Sequence, residues 1–438
     1  MQLANDVLQD AYRFHSSGDL ANAELLYCRL IAHEETHPAA YHGLGTLYAQ
    51  AGLPGRSIVM LKKAIELHPK DYTAMMNLGT VYRQLEKRDE AAHWLLQSLA
   101  IKETPQVLSN LAGMCINDAR PKEAIYWADR ALKLDPKSPD AMNHKALGHL
   151  ELGEFAEGWK WYDGRMGLKG KWTPRPYKCP MWDGREVKRL ALHGEQGLGD
   201  EILFLTLLPD VISRFPKTEI ALECASRLVS LLQNSFPTVK VFPDHESLIK
   251  EFEPNAYLPL GSLPRIVKHG TSEQWAFPKT YLKPVSECKK EGKRVGLSWR
   301  GGLPQTHAVL RNTDVEHWKP LTTLADTISL QYGYAIEDAE LLGIPHSPSI
   351  VDLDRLAAMI KSCDLVISVC NTTIHMAGAL GIPCLVLVPS KPAWRYGLRG
   401  EMHWYQSVKL LRQAEGEPWP DVIARAKTKA EEMLKETR

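Results

Sequence analysis

Residues Arg189–Ile202 read RLALHGEQGLGDEI: an apolar run, three glycines within six residues, then the start of a second apolar stretch. That order predicts a strand, a tight turn and a helix. Gly197 and Gly199 permit sharp turning and close backbone approach, and Asp200 falls at the helix start. A junction of this kind at the carboxyl end of a strand makes a pocket for an anion or a sugar. The chain before it follows a different period, and the chain after it repeats the strand–helix alternation.

Upstream, the sequence aligns on itself at about 34 residues. Tyr41, Leu44, Gly45, Tyr48, Ser57, Leu61, Ala64 and Pro69 form one unit, and Met75, Leu78, Gly79, Tyr82, Ala91, Leu95 and Ser98 the next. Leu108, Leu111, Ala112, Cys115, Ala124, Ala128, Ala131 and Pro136 keep the same offsets. Small residues let paired antiparallel helices approach, large ones fill the gap to the next pair, and prolines end the second helix. The pattern resembles the tetratricopeptide repeat, with about five copies over residues 4–167. Such stacks curve and bind partners on the concave face. Asn77 and Asn110 take equivalent first-helix places, where carboxamides offer an extended peptide both a donor and an acceptor. Ordinary exposed polar residues would look the same, since the matching places hold Gly43 and His144.

Downstream, residues 168–187 hold prolines and two tryptophans, which predicts a docked connector. Strands and helices then alternate in two series, 188–285 and 292–412, followed by a terminal helix over 413–438. The expected fold is therefore an all-α repeat solenoid followed by an α/β pair of Rossmann-like lobes, with a cleft between the lobes.

Composition narrows the function. The 53 lysines and arginines nearly balance 52 aspartates and glutamates, so no large field attracts nucleic acid. No apolar stretch reaches the ~18 residues of a membrane span, and the acidic, weakly apolar start MQLANDVLQD is not expected to be a signal peptide. Eight scattered cysteines without a C-x-x-C pair suggest reduced thiols and a cytoplasmic location. No His/Cys cluster has metal-ligand spacing, and neither G-x-G-x-x-G nor a P-loop occurs.

Four elements carry candidate chemistry. The first is GEQGLGD, with Asp200. The second is DLVISVCNTTIHMAGALGIPCLVLVP, in which Asn371, Thr372 and Thr373 open a helix containing His375. Free N–H groups at such a start suit a diphosphate. The third, VGLSWRGG…RNT, supplies Trp299, Arg300 and Arg311, with Gln331 in the following TISLQYG segment joining the same donor set. The fourth, KPAWRYG, supplies Trp394 and Arg395. Each has a plain reading as a helix cap, a core residue or a solvated arginine. Their joint occurrence at strand ends of both lobes argues for a site.

Together these stretches resemble the glycosyltransferase domain attached to bacterial tetratricopeptide proteins, which is similar to the heptosyltransferase family with its two-lobed GT-B fold. The resemblance implies transfer of a sugar from a nucleotide diphospho-sugar, a co-substrate rather than a cofactor, without a required metal. It implies that Asp200 is the catalytic base and that Asn371–Thr373 and His375 form the donor diphosphate loop. Many relatives carry aspartate where this chain has Cys370. The expected partners are a nucleotide-sugar donor and a protein or peptide captured by the repeats. The competing expectation is a non-catalytic scaffold whose transferase domain is degenerate.

Overall fold

The computed structural model describes residues 2–33, 36–168, 174–267, 280–301, 308–331, 336–346 and 352–436. The chain divides into two compact units, Met1–Gly148 and His149–Arg438. The first unit contains α1 (Gln2–Ser17), α2 (Leu20–His33), α3 (Pro38–Gln50), α4 (Pro54–Leu67), α5 (Tyr72–Gln84), α6 (Arg88–Ile101), α7 (Pro105–Asn117) and α8 (Pro121–Leu134). The division falls inside α9 (Pro139–Leu152), and α10 (Phe155–Tyr162) belongs to the second unit.

The repeat period expected from the sequence is present as helix pairs. Prolines in the first turn of α3, α4, α7 and α8 use a position whose N–H has no helical partner. Asp71 and Thr104 cap α5 and α7 by accepting from the amides of Ala74 and Val107. Close pairing then depends on missing side chains. A Cβ on Gly45 would lie 2.7 Å from Leu61 Cγ, and one on Gly79 would lie 2.8 Å from Leu95 Cγ. Each glycine therefore sets the distance within its pair, and Leu61, Leu78, Leu95, Leu108 and Leu111 fill the shared core.

In the second unit, β1 (Arg189–His193), β2 (Glu219–Glu223), β3 (Val239–Phe242) and β4 (Ala256–Pro259) form a parallel sheet of order β3-β2-β1-β4. A second parallel sheet contains β5 (Arg294–Ser298), β6 (Asp326–Ser329), β7 (Leu365–Val369), β8 (Cys384–Val388) and β9 (Val408–Arg412), in the order β6-β5-β7-β8-β9. These are the two Rossmann-like lobes. Every residue of β7 and β8 is buried, as continuous apolar runs covered on both faces must be. Strand order reverses between β1 and β4 and between β5 and β7. Ligands of such sheets gather at the carboxyl ends beside these reversals.

Several elements differ in detail from the expectation. The single helix expected after the glycine-rich turn is instead α11 (Leu198–Phe204), a short 3₁₀ turn, and α12 (Leu208–Arg214). Pro209 lacks the N–H that a continuous helix needs there. In the connector, Trp182 is buried against Phe215, its amide donates to the carbonyl of Tyr257 in β4, and the Tyr257 amide donates to the Pro180 carbonyl. Trp172 lies outside the described residues. Five further helices follow, α13 (Val229–Ser235), α14 (His245–Phe252), α15 (Leu263–Val267), α16 (Ile336–Leu342) and α17 (Leu353–Lys361), before α18 (Thr372–Ala379) and α19 (Trp419–Glu436). The terminal helix α19 packs Val422, Ile423, Ala426 and Ala430 onto the second sheet, in one core with Leu297, Ile367 and Leu385.

Gly55 in α4 faces open space, unlike Gly79. Urea unfolding should therefore show Gly79→Ala destabilised by about 1–3 kcal/mol from overpacking, and Gly55→Ala unchanged or stabilised by up to about 1 kcal/mol.

Candidate functional site

The glycine-rich turn begins where β1 ends. Its left-handed residue is not a glycine: Gln196 has φ +67°, whereas Gly197 is extended at −146° and caps α11. Gly199 has a different use. A Cβ there would lie 3.0 Å from His375 Cδ2 and 3.7 Å from Thr372 Oγ1. The starts of α11 and α18, one from each lobe, thus approach closely, and a Cβ at 199 would make a tight contact with the His375 ring.

Asp200, in the first turn of α11, forms an ion pair with Arg395. Its Oδ1 accepts from Arg395 Nε at 2.7 Å and also from Nη2. The side chains are only 14% and 19% exposed, so the pair is shielded from water and salt. Burial alone would lower the Arg395 pKa, but the charges of Asp200 and Tyr162 raise it overall. Arg395 sits in a turn held by Arg412 at the end of β9, whose guanidinium donates to the carbonyls of Gly397 (2.8 Å), Tyr396 (2.6 Å) and Gly400 (3.2 Å). Arg412 was not among the residues expected from the sequence. It ends a strand with no motif around it, and only the fold brings it to the turn.

Asn371 caps α18, accepting from Thr373 N at 2.9 Å. Its Nδ2 donates to Ser298 Oγ at 2.7 Å and to the carbonyl of Arg300 at 3.0 Å. Asn371 therefore spans the β5–β7 reversal and is a structural tie as well as a cap. Thr373 is fully buried, while Thr372 is half-buried. His375 is buried, with Nδ1 3.3 Å from Tyr405 Oη. Burial, then the charge of Arg395, holds its pKa well below the usual histidine range, so the ring is neutral. Cys370 is buried, with its thiol pushed up to about 12 by burial, and it contacts the Leu387 carbonyl at 3.7 Å. It behaves as a small apolar residue at the end of β7.

Gln331 organises the loop after β5. Its Oε1 accepts from the amides of Trp299 (2.9 Å) and Arg300 (2.8 Å), and its Nε2 donates to the Arg300 carbonyl at 3.0 Å. Trp299 is fully buried, and its ring N–H donates to Asp338 at 2.9 Å. It is core, as is Trp394, which packs with Phe204 and Trp404. Arg300 is half-exposed and pairs with Asp338 at 3.0 Å, and Arg311 Nε donates to the Gly301 carbonyl at 3.0 Å.

The structure thus gathers Gly199, Asp200, Thr372, His375 and Arg395 at one junction. Asn371, Thr373, Gln331, Arg300 and Arg311 surround the adjacent β5–β7 reversal, while Trp299 and Trp394 are held in the core behind it. Ser298, which ties the two strands together, was signalled only by a hydroxyl inside the apolar run VGLSW. Asn77 and Asn110 lie in the other unit, on α5 and α7. Asn77 Nδ2 is already engaged, donating to Thr46 Oγ1 at 3.0 Å and lying 3.1 Å from His42 Nε2. Among the described residues no group of His, Cys, Asp or Glu could hold a metal ion, and no helix is long and apolar enough to cross a membrane.

Residues 38–71 and 73–104 each match a tetratricopeptide-repeat family, so the chain carries such repeats, a type of arm that binds proteins. Protein FlbA of Caulobacter vibrioides is 27% identical over 494 residues, spanning 94% of this chain and 81% of that protein. Among solved structures, MamA is 19% identical over 35% of this chain and 91% of its own, with a TM-score of 0.32. PilF of Pseudomonas aeruginosa is 15% identical over 48% and 85%, with a TM-score of 0.38. YrrB, a repeat protein with an unusual peptide-binding site, is 18% identical over 37% and 84%, with a TM-score of 0.31.

The neutral His375 has a measurable consequence. An unfolded histidine takes up a proton below about pH 6.5, whereas the buried ring does not, so stability falls as pH drops through that value. Denaturant unfolding between pH 7.5 and 5 should give His375→Gln a shallower acid-side decline than the unmodified protein, by up to about 1.4 kcal/mol per pH unit. Equal slopes would contradict a neutral His375.

Proposed function

We propose that the second unit is a glycosyltransferase moving a sugar from a nucleotide diphospho-sugar to a protein or glycan acceptor, with the repeats recruiting that acceptor or its carrier. The observation that carries this reading is that the start of α11, which bears Asp200, meets the start of α18 at Gly199. A carboxylate that can accept a proton, a helix start that favours anions and a buried arginine come together where two parallel sheets present their carboxyl ends.

In this reading the donor diphosphate lies on the first turn of α18, against Arg395 and near Arg311. The acceptor oxygen attacks the anomeric carbon, the bond from that carbon to the phosphate oxygen breaks, and the nucleoside diphosphate leaves. The acceptor proton passes to Asp200. Oδ1 is taken by Arg395, and no hydrogen bond reaches Oδ2 among the described residues, so Oδ2 is the basic atom. Arg395 would both orient the base and offset charge on the departing diphosphate. A cytoplasmic setting fits the eight cysteines, none of which forms a disulfide.

Two observations favour the competing reading, a scaffold with a degenerate transferase domain. The base is already neutralised by Arg395, and the two helix starts approach closely. The two readings separate in a thermal-shift screen of nucleotide sugars, followed by transfer and hydrolysis assays with the ligand that raises the melting temperature. The transferase reading predicts turnover that falls about 10²–10⁴-fold in Asp200→Asn, with donor affinity little changed. No stabilisation by any donor, or the same background rate in both proteins, would favour the scaffold.

A further inference from the structure

The end of the repeat arm reaches the proposed catalytic turn. α10 and the 3₁₀ turn after it, Asp163–Gly167, belong to the same compact unit as both lobes. Trp159 of α10 packs edge-on against Phe204 of the first lobe and against Trp394 and Trp404 of the second. Gly158 allows α10 to approach the end of α9, because a Cβ there would lie 2.5 Å from Leu150 Cδ2.

Beyond this packing stands a buried ionic knot. Arg165 donates to both carboxylate oxygens of Glu195, at 3.0 and 2.5 Å. The two side chains are 6% and 4% exposed. The remaining donors of Arg165 reach the Tyr162 carbonyl (3.2 Å), Asp163 (3.0 Å) and Ser262 (3.0 Å). Glu195 also accepts from the Gly261 amide at 2.7 Å. A Cβ on Gly261 would lie 2.4 Å from Glu195 Oε1 and 2.9 Å from Arg165 Nη2, so that position is kept open for the pair. The next residue is Gln196, the non-glycine residue with φ +67°, and its Nε2 donates to Tyr162 Oη at 3.1 Å. A non-glycine residue holds that conformation at a cost, which the contacts of its side chain help to offset. Here Tyr162 holds Gln196 and Arg165 holds its neighbour Glu195. Four residues after Gln196 comes Asp200.

We propose that Arg165 is a positioning residue for the proposed transfer reaction: through Glu195, and with Tyr162 on Gln196, it sets the turn that places the Asp200 carboxylate. The inference rests on the transferase reading for its catalytic half. It makes the last repeat part of the catalytic apparatus rather than a tether, and it locates specificity for the turn in the arm. A lysine at 165 keeps the charge but cannot form the two-pronged contact while reaching Tyr162, Asp163 and Ser262.

The test uses the full-length protein with Arg165→Lys and Arg165→Met. The proposal predicts a fall in kcat of about 10²-fold for Arg165→Met, with donor KM little changed and Arg165→Lys intermediate. In an Asp200→Asn background, Arg165→Met should change the residual rate less than about two-fold, because a residue acting through Asp200 has nothing left to position. The same fractional loss in both backgrounds would indicate a merely structural role and overturn the proposal. Amide hydrogen exchange gives a second readout that needs no activity. Faster exchange in Arg165→Lys confined to residues 194–201, with 155–162 unchanged, supports positioning; unchanged exchange at 194–201 overturns it. If no donor is turned over by the unmodified protein, the transferase reading fails on its own, and the exchange result still decides whether Arg165 sets the turn.

Discussion

The ion pair between Asp200 and Arg395 is the interaction on which the second unit depends. It joins the helix after β1 to the turn after β8, two elements 195 residues apart in sequence. Without it, two like-built lobes would each expose a helix start and a buried charge. A buried charge lacking its partner costs several kcal/mol, about 3–5 by analogy with broken internal pairs. The close approach at Gly199 lies beside it, one residue before Asp200. Position 199 therefore leaves little room for a side chain, and Arg412 holds the turn that carries Arg395.

Around that pair, polar groups are used twice. Asn371 caps α18 and ties β5 to β7, while Gln331 fixes the loop carrying Arg300. Hydrogen bonds thus fix these groups to one another without a ligand, the arrangement that electrostatic preorganisation requires. Fixing of this sort also serves a binding platform. The discriminating feature is the chemistry open to Asp200, not the firmness of its surroundings.

How much of this was legible in the sequence follows from what local patterns encode. The helix pairs were readable because Gly45, Gly79 and their leucine partners recur at a fixed offset, and each contact they make is between neighbouring helices. The strand–turn–helix at 189–202 was readable for the same reason. Gln196 as the left-handed residue was not, since its side chain is held by Tyr162 from another element. Trp299 and Trp394 were expected at a ligand pocket and proved to be core. A tryptophan after a strand has the same local signature in either role, and only the packing of α19 and α10 decides between them. The identity of the Asp200 partner was invisible for a further reason: Arg395 was marked by its own motif, but nothing in either motif names the other.

The most direct test of the account is a structure of the protein with a nucleoside diphosphate bound. The account predicts the diphosphate on the first turn of α18, with Arg395 contacting a phosphate oxygen and Asp200 Oδ2 facing the space where a sugar would attach. A diphosphate bound away from Thr372 and Arg395, or no binding at saturating concentration, would contradict it.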